Sequence, residues 1–494
     1  MDMDMHVLAL QLMAAQGVMG AFDTLYHHEL TEALAQRTSA RKELSIHALR
    51  AIIYSLLFIG LSSWVWQGWF AFILLALFAI EIVLTLWDFV IEDQTRMLPA
   101  TERVTHTLLA INGGAFITLL ALQMPDWWSL PTALVWQPQG ALSVFLALCG
   151  IGVGLSGVRD ALAATQLKKI SADAAQLSDL HFSDRRQQVL VTGATGFIGQ
   201  LLVRELLADG QDVIVLSRRP TAAAFLFAGK VKCIASINEL PANYPLDVII
   251  NLAGARILGW HWSESRKKVL LASRVALTRK LVDWIVRAEQ KPKLLLSASA
   301  IGYYGIQAQG DATALTETDS PQPIFMSRLC QEWEVEAERA SQYGVKVDIM
   351  RFGLVLGHQG ALPMMLLPIK LGMGGKLGSG KQWMSWIHVR DLLRGIAYLF
   401  QMRMDATSDN SNSVSIYNFT APETLTQLEF NQQAANVLHR PCIMPTPGFI
   451  VRWLLGEQSD LLLEGQRVIP HNLLESGFSF EFPTAKSALD DICG

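Results

Sequence analysis

The sequence lacks the features of a disulfide-stapled, zinc-binding or nucleic-acid-binding protein. Its 494 residues include only five cysteines, which lie far apart and form no CxxC pair. This argues against a disulfide framework and a structural zinc site, and it is typical of a reducing compartment. The formal net charge of -4 gives no reason to expect nucleic acid as a partner. No internal repeat or low-complexity tract occurs, so a repeat architecture is excluded.

Long apolar runs are present, and they are concentrated in the first 160 residues. The chain is 51% hydrophobic, and its mean hydropathy of +0.29 is high for a soluble protein. A helix needs about 20 mainly apolar residues to cross the hydrocarbon core of a bilayer. Five runs approach or reach this length: residues 7–25, 51–66, 69–90, 108–124 and 141–158. The acidic start differs from the basic start of a cleaved signal peptide, so we expect the first run to be retained.

Loop charges predict how this half lies in the lipid bilayer. Residues 1–6, 64–70 and 125–140 contain no Lys or Arg, and the other connections do. The basic residues are Arg37, Arg41, Lys42, Arg50, Arg96, Arg103, Arg159, Lys168 and Lys169. On the side without them lie Trp64, Trp66, Trp69, Trp127, Trp128 and Trp136. The positive-inside rule and the aromatic belt predict an integral membrane protein with its N-terminus outside and residues after 160 cytoplasmic. If the source is bacterial, this membrane is the inner or plasma membrane.

Ionisable residues recur at helical spacing near the ends of these runs. The pairs are Asp23 with His27, Asp88 with Glu92, and Glu102 with His106; Glu81, His28 and His47 lie nearby. Residues four apart share a helix face, and charges at membrane depth are functional candidates. One interpretation pairs them with Arg50, Arg96 or Arg103 at the cytoplasmic interface. A metal or quinone site and a proton path are the alternatives, and no residue is assigned as a metal ligand.

Residues 189–199 are the stretch around which the second half is organised. An apolar, β-branched run ends in a glycine-rich turn, and a helical pattern follows. A strand, tight turn and helix in this order hold a dinucleotide pyrophosphate at the positive end of the helix. The alternative is a Rossmann-like domain that has lost its ligand. The predicted cofactor-binding residues here are Thr192, Gly193, Thr195, Gly196, Phe197, Ile198 and Gly199.

The end of the next predicted strand bears on the choice of cofactor. Residues 212–216 form this strand, and Ser217, Arg218 and Arg219 follow it. An NAD site usually places an acidic residue there for the ribose hydroxyl. Two arginines suit the 2′-phosphate of NADP instead, because guanidinium groups bind phosphate well. The prediction is NADP, with NAD as the alternative; a solvated loop with surface arginines is the competing interpretation.

Further strands alternate with helices and complete the predicted fold. Strands at 247–254, 293–297 and 345–351 imply a parallel sheet with right-handed crossovers. Asn251, Leu252, Ala253, Gly254 and Ser297 would lie at its carboxyl edge, beside the cofactor. The predicted fold is α/β, a Rossmann-like doubly wound parallel sheet with a small C-terminal substrate lobe, preceded by an all-α transmembrane domain. The predicted boundaries are 1–160 for the transmembrane domain, 161–187 for a helical linker and 188–494 for the Rossmann domain, with the lobe from about 355.

Several motifs give residues 188–491 a family resemblance. They are TGATGFIG at 192–199, NLAG at 251–254, SASAIGYYG at 297–305, LCQEWE at 329–334, RFGLVLG at 351–357, GSGKQWMSWIH at 378–388, HVRD at 388–391 and DLLLEGQRVIP at 460–470. Together they resemble an atypical, epimerase-like branch of the short-chain dehydrogenase/reductase superfamily (NAD-dependent epimerases and dehydratases). The transmembrane half resembles N-terminal extensions on some members.

The resemblance implies nicotinamide chemistry but departs from the superfamily at the catalytic positions. Working members use a Tyr with a Lys four residues later, and this chain has no such pair. By the resemblance, Cys330 lies at the tyrosine position and Glu334 at the lysine position. One alternative to the Tyr/Lys pair is that these two residues act together as an acid/base pair. Ser299 matches the substrate-orienting Ser/Thr, and Tyr303 and Tyr304 follow it. The predicted catalytic residues are Ser299, Tyr303, Tyr304 and Cys330; buried core packing is the competing interpretation for Cys330 and the tyrosines.

These observations lead to one main functional hypothesis and its rivals. The main hypothesis is a membrane-anchored NAD(P)-binding oxidoreductase or epimerase-like protein that acts at the cytoplasmic face on a small-molecule substrate. The missing Tyr/Lys pair favours a non-catalytic NADPH sensor or scaffold coupled to a membrane partner. A third hypothesis is an electron-transfer protein whose membrane half binds a metal or quinone. The sequence makes no prediction of oligomeric state.

Overall fold

A computed structural model of the chain describes residues 5–31, 34, 40–95, 98–176, 180–257, 262–405 and 414–493. The chain forms two compact units, Met1–Asp173 and Ala174–Gly494. Arg37 and Arg96, the side chain of Lys169, and residues 177–179 of the predicted linker lie outside the described residues.

The first unit is a bundle of helices with one small strand pair. Its elements are α1 (Met5–Phe22), a π-helical continuation (Asp23–Thr31), α2 (Arg41–Ser63), β1 (Trp64–Gln67), α3 (Trp69–Thr95), α4 (Ala100–Trp128), β2 (Ala133–Trp136) and α5 (Ala141–Gln176). Strands β1 and β2 pair antiparallel. Helix α5 runs on without a break to Gln176, so the first half of the predicted linker continues the fifth helix.

Five helices of this unit are long and apolar enough to cross a membrane. They cover Met5–His28, Arg41–Ser63, Trp69–Gln94, Ala100–Trp128 and Ala141–Thr165. Many of their large apolar side chains point away from the unit's core: Val83 and Leu86 of α3 and Leu155 of α5 are each at least 60% exposed. Such a surface is unusual for a protein in water and is common on lipid-facing helices.

The second unit alternates strands and helices. Its strands are β3 (Gln188–Thr192), β4 (Asp212–Leu216), β5 (Lys232–Ile234), β6 (Val248–Asn251), β7 (Leu294–Ala300), β8 (Lys346–Phe352), β9 (Leu354–Leu356), β10 (Trp383–Met384), β11 (Trp386–His388), β12 (Val414–Phe419) and β13 (Leu425–Thr426). Its helices are α6 (Phe197–Ala208), α7 (Pro220–Leu226), α8 (Glu264–Leu271), α9 (Leu277–Arg287), α10 (Phe325–Glu338), α11 (Leu362–Lys370), α12 (Val389–Asp405), α13 (Gln427–Val437), α14 (Gly448–Leu455), α15 (Asp460–Leu463), α16 (His471–Glu475) and α17 (Ala485–Cys493).

Seven strands form the predicted parallel sheet, in the order β12-β8-β7-β6-β3-β4-β5. Successive residues of a strand face opposite sides of a sheet. Val189 and Val191 of β3 therefore pack with α6 and α12 on one face, and Leu190 packs with α9 on the other. The direction of strand addition reverses between β3 and β6, and open α/β sheets bind ligands at the carboxyl edge of such a switch point. The predicted Rossmann-like fold is confirmed.

The predicted C-terminal lobe is not one continuous segment. Its core joins β9, β11, α11, α13 and α17. Strand β12 pairs with β8 at the edge of the main sheet, and α12 packs on the sheet face that carries α6. The chain from residue 355 therefore returns to the Rossmann layers before it completes the lobe.

Candidate cofactor site

Gly193 and Gly199 hold the turn between β3 and α6 in a shape that other residues would disrupt. Gly193 has a positive φ of 69°, and a Cβ atom there would lie 2.8 Å from the carbonyl carbon of Leu252. A Cβ on Gly199 would lie 2.3 Å from the carbonyl oxygen of Gly193. The turn therefore packs closely against the start of α6 and the end of β6, and only glycine fits at positions 193 and 199.

Gly196 is open on the side where a phosphate would lie. Its φ of -84° is ordinary, and a Cβ there would approach only the carbonyl oxygen of Gly193, at 3.3 Å. Helix α6 begins at Phe197, and no side chain caps it. The N–H groups of a first helical turn have no partner inside the helix, so an anion is well placed to accept them. The residues present fit a dinucleotide pyrophosphate.

Three predicted residues lie under the turn and bind one another. Thr192 donates its hydroxyl to Oδ1 of Asn251 at 2.8 Å, and the Asn251 amide donates to Ser297 Oγ at 3.3 Å. The backbone N–H of Ala253 in turn donates to Thr192 Oγ1 at 3.1 Å. Thr192, Asn251 and Ser297 are all buried. They fix the ends of β3, β6 and β7 relative to one another and set the floor of the site.

Arg218 and Arg219 lie where the sequence places them, directly after β4. Both side chains are exposed. The N–H of Arg219 donates to Ser217 Oγ at 3.2 Å, which shapes the turn into α7. Two guanidinium groups at the carboxyl end of the strand beside β3 suit a phosphate on the ribose of a dinucleotide.

The remaining predicted residues pack around the loop. The ring of Phe197 lies against Gly357, where a Cβ would be 2.6 Å from the ring. Gly254 is covered by a residue that the sequence analysis missed, Arg274. A Cβ on Gly254 would lie 2.8 Å from Nη2 of Arg274, and Nη2 donates to the carbonyl oxygen of Ala255 at 3.0 Å. Burial lowers the pKa of Arg274.

At the end of β7 the catalytic candidate Ser299 belongs to a buried charged network. Its hydroxyl donates to Glu334 Oε1 at 2.5 Å. Arg351 binds the same carboxylate with two donors, Nε to Oε1 at 3.0 Å and Nη2 to Oε2 at 2.8 Å. This bond with Glu334 raises the pKa of Arg351. The Glu334 carboxylate, which the resemblance sets at the superfamily's lysine position, is therefore held by an arginine from β8.

The two tyrosines that follow differ in their surroundings. Tyr304 is buried; its hydroxyl accepts from Arg351 Nη1 at 3.0 Å and donates to Asn418 Oδ1 at 2.7 Å. Burial raises the pKa of Tyr304 to about 12, so it stays neutral. Tyr303 is half-buried, and its ring stacks on Arg351 with 3.4 Å between the guanidinium carbon and the ring centre. No described residue accepts a hydrogen bond from the Tyr303 hydroxyl.

Comparison with known proteins places this site in a family. The model of the NAD dependent epimerase/dehydratase family matches residues 189–415, and a domain of unknown function, DUF1731, matches 446–492. The chain is 36% identical over 312 residues to the epimerase family protein YfhF of Bacillus subtilis, covering 62% of this chain and 97% of that protein. It is 38% identical over 313 residues to the chloroplastic epimerase family protein SDR39U1 homolog of Arabidopsis thaliana, covering 62% of this chain and 86% of that protein.

The chain belongs to the NAD dependent epimerase/dehydratase family. A solved structure of human epimerase family protein SDR39U1 (isoform 2) with NADPH is also similar. It is 32% identical, covers 62% of this chain and 99% of that one, and has a TM-score of 0.54. NADPH in that human protein agrees with the cofactor that the two arginines predict for this epimerase-family chain.

The resemblance sets Cys330 at the tyrosine position of the wider superfamily, but its surroundings do not favour a thiolate. It is 2% exposed, and burial together with the nearby Glu334 carboxylate raises its pKa to about 12. The described hydrogen bonds of Glu334 go to Ser299 and Arg351. The structure therefore does not favour Cys330 and Glu334 as an acid/base pair. Glu334 forms an ion pair with Arg351, and Cys330 is a protonated thiol beside it.

We expect Cys330 to resist alkylation in the folded protein. A pKa raised from 9.0 to about 12 leaves about a thousandfold less thiolate at pH 8. Mass spectrometry of iodoacetamide-treated protein should show Cys233, which is half-buried, modified well before Cys330. Denaturant should remove the difference. Equal rates for the two thiols in the folded protein would contradict this account of Cys330.

Proposed function

We propose that this epimerase-family chain is a membrane-anchored NADPH-binding oxidoreductase of the cytoplasmic face that acts on a small-molecule substrate. The observation that carries the proposal is the uncapped start of α6 behind Gly196, with two exposed arginines at the end of the neighbouring strand β4. Together these offer one site for a pyrophosphate and one for a further phosphate, as NADPH requires.

The residues of this site serve mainly to bind and orient the cofactor and the substrate, and few of them can exchange a proton. NADPH, when bound, supplies a hydride. Arg218 and Arg219 would hold its 2′-phosphate, and the glycine turn would receive its pyrophosphate. The Tyr304 hydroxyl stays protonated and donates its hydrogen bond to Asn418. Burial keeps the Cys330 thiol protonated. Of the predicted catalytic side chains, Tyr303 remains to donate a hydrogen bond from its hydroxyl to a substrate oxygen. Its ring stacks on the Arg351 guanidinium.

The membrane part of the proposal is supported by the first unit alone. Five helices have the length and apolar composition of membrane spans, and their outward side chains are apolar. Basic residues lie on alternate connections, which favours a cytoplasmic second unit. Sealed vesicles test this: protease should digest the second unit in inverted vesicles and spare it in right-side-out ones. The reverse result would contradict the orientation.

A second candidate function is NADPH sensing without turnover, and the Arg351–Glu334 pair favours it. The pair ties the Glu334 carboxylate to an arginine in the interior, and the sequence has no Tyr with a Lys four residues later to move a proton. To separate the two, full-length protein in detergent is incubated with NADPH and a panel of carbonyl, quinone and sugar-nucleotide compounds. Oxidation of NADPH that falls in Tyr303→Phe supports the oxidoreductase. Tight binding with no oxidation across the panel supports the sensor.

Replacing Arg218 and Arg219 with Ala should weaken NADPH binding about tenfold or more and leave NADH binding nearly unchanged. Charged hydrogen bonds to phosphate contribute about 1.5–3 kcal/mol, and only NADPH carries the extra phosphate. Fluorescence titration with each nucleotide measures the ratio. Arg287→Ala, at an exposed arginine of α9, is the matched control. Equal losses for NADPH and NADH would mean that the two arginines do not contact the 2′-phosphate.

A further inference from the structure

The first unit gathers carboxylates and histidines from four helices at one place. They come from the end of the first helix, the start of α2, the end of α3 and the start of α4. The residues are Asp23, His27, His28, Glu43, His47, Asp88, Glu92, Glu102 and His106. The carboxylates are all at most 6% exposed. Burying several carboxylates between apolar helices is costly unless they bind cations.

Three overlapping groups in this cluster have the spacing of metal ligands. They are Asp23, His28 and His106; Glu43, His47 and Glu92; and Glu92, Glu102 and His106. Within each group the ligand atoms all lie within 4.8 Å of one another. Glu92 belongs to two groups, and so does His106. Overlap of this kind is expected of two neighbouring ions that share a carboxylate, and not of three separate sites.

The individual distances agree with ligands around common ions. His106 lies between two carboxylates, with Nε2 3.1 Å from Asp23 Oδ2 and Nδ1 3.3 Å from Glu92 Oε2. Nε2 of His28 lies 3.5 Å from Asp23 Oδ2. Two ligand atoms that are each about 2.1 Å from one ion lie about 3.0–3.4 Å apart in octahedral or tetrahedral geometry. These side chains therefore need only small shifts to coordinate metal.

His47 provides an independent indication. Its Nε2 lies 3.0 Å from Asp88 Oδ2, and Asp88 is itself held by Arg50 at 2.6 Å. The other ring nitrogen, Nδ1, is buried and has no hydrogen-bond partner among the described residues. A carboxylate on one nitrogen of an imidazole fixes the tautomer and leaves a lone pair on the other, as outer-shell carboxylates do for metal-binding histidines. The rings of His28 and His47 stack at 4.6 Å, which joins the two halves of the cluster.

We propose that this cluster binds two divalent iron or manganese ions. Glu43, His47 and Glu92 hold one ion; Glu102 and Nδ1 of His106 hold the other, and Glu92 bridges the two ions. Asp23, on Nε2 of His106, is the outer-shell carboxylate of that histidine, as Asp88 is for His47. Oxygen and imidazole ligands without thiolate suit these metals. Helical bundles with carboxylate and histidine ligands on facing helices hold paired ions in the same way. The proposal is independent of nucleotide binding in the second unit.

The test is the metal content of full-length protein in detergent. The protein is stripped with a chelator and dialysed against Mn(II), and bound metal is measured by elemental mass spectrometry. We expect two ions per chain, with the EPR signature of an exchange-coupled pair. In Glu92→Gln we expect at most one ion, bound at least about tenfold more weakly. NADPH titration of this variant should match the wild type.

Glu81→Gln is the matched control, since it removes another buried carboxylate from the same helix. Glu81 is bound by Arg50 at 3.3 Å and by Thr85 at 2.6 Å and belongs to none of the three groups. We expect it to keep two ions. Circular dichroism and gel filtration establish folding, and Glu102→Gln serves if Glu92→Gln does not fold. Fewer than one ion per wild-type chain, or equal metal in the Glu81 and Glu92 variants, would overturn the proposal in favour of structural ion pairs.

Discussion

Gly196→Ala should weaken NADPH binding at least about tenfold while the folded chain stays nearly as stable as the wild type. A methyl group at this position needs a shift of only a few tenths of an ångström, because the one atom near it would be the Gly193 carbonyl oxygen at 3.3 Å. It would occupy the side on which a pyrophosphate meets the N–H groups of α6. A tenfold loss corresponds to about 1.4 kcal/mol. An alanine at a helix N-cap costs the fold no more than about 1 kcal/mol relative to glycine.

The matched variant is Gly199→Ala, three residues further on. Its Cβ would lie 2.3 Å from the same carbonyl oxygen, so the turn itself must move. We expect loss of NADPH affinity together with about 1–3 kcal/mol of stability. Thermal unfolding and fluorescence titration of the two variants measure both quantities. If Gly196→Ala bound NADPH as tightly as the wild type, the pyrophosphate would not lie against this turn.

Arg351→Met should destabilise the second unit by about 3–5 kcal/mol, because it leaves the Glu334 carboxylate buried without its cation. Both residues are at most 4% exposed, and two hydrogen bonds join them. Glu334→Gln should cost a similar amount. The double variant should recover much of the loss, since no lone charge remains buried.

A second Arg–Glu pair, whose glutamate lies on the same helix as Glu334, is the control for this cycle. Arg279 of α9 binds Glu336 of α10 at the surface, two residues from Glu334. Exposed ion pairs contribute little to stability, so Arg279→Met should leave the unfolding midpoint nearly unchanged. Equal shifts in Arg351→Met and Arg279→Met would contradict the description of the Arg351–Glu334 pair as a buried unit.

The sequence predicted the fold and the place of the nucleotide turn because both depend on local patterns. Apolar runs alternate with helical segments, and the glycine spacing lies within eight residues. The α/β sheet is confirmed, and residues 192–199 lie at its switch point. The pairing of β12 at the edge of the main sheet and the packing of α12 on one of its faces were not predicted, because both depend on contacts between residues distant in sequence.

The chemistry of the catalytic candidates could not be predicted in the same way. The resemblance sets Glu334 at the superfamily's lysine position, but nothing in the sequence shows that Arg351 of β8, 17 residues later, neutralises it. Arg274 was missed because nothing in its helical pattern indicates that it folds over Gly254.

The first unit illustrates the same limit. Spacing of four residues placed Asp23 with His27 and Glu102 with His106 on shared helix faces. Which faces converge depends on how helices pack, and only the structure brings His106 within 3.1 Å of Asp23.

The central claim is that the turn at 193–199 binds NADPH. Equilibrium dialysis of the purified full-length protein against NADPH, with NADH in parallel, tests it most directly. The account predicts saturable binding of one NADPH per chain, tighter than that of NADH. No retention of either nucleotide at millimolar concentration would contradict it.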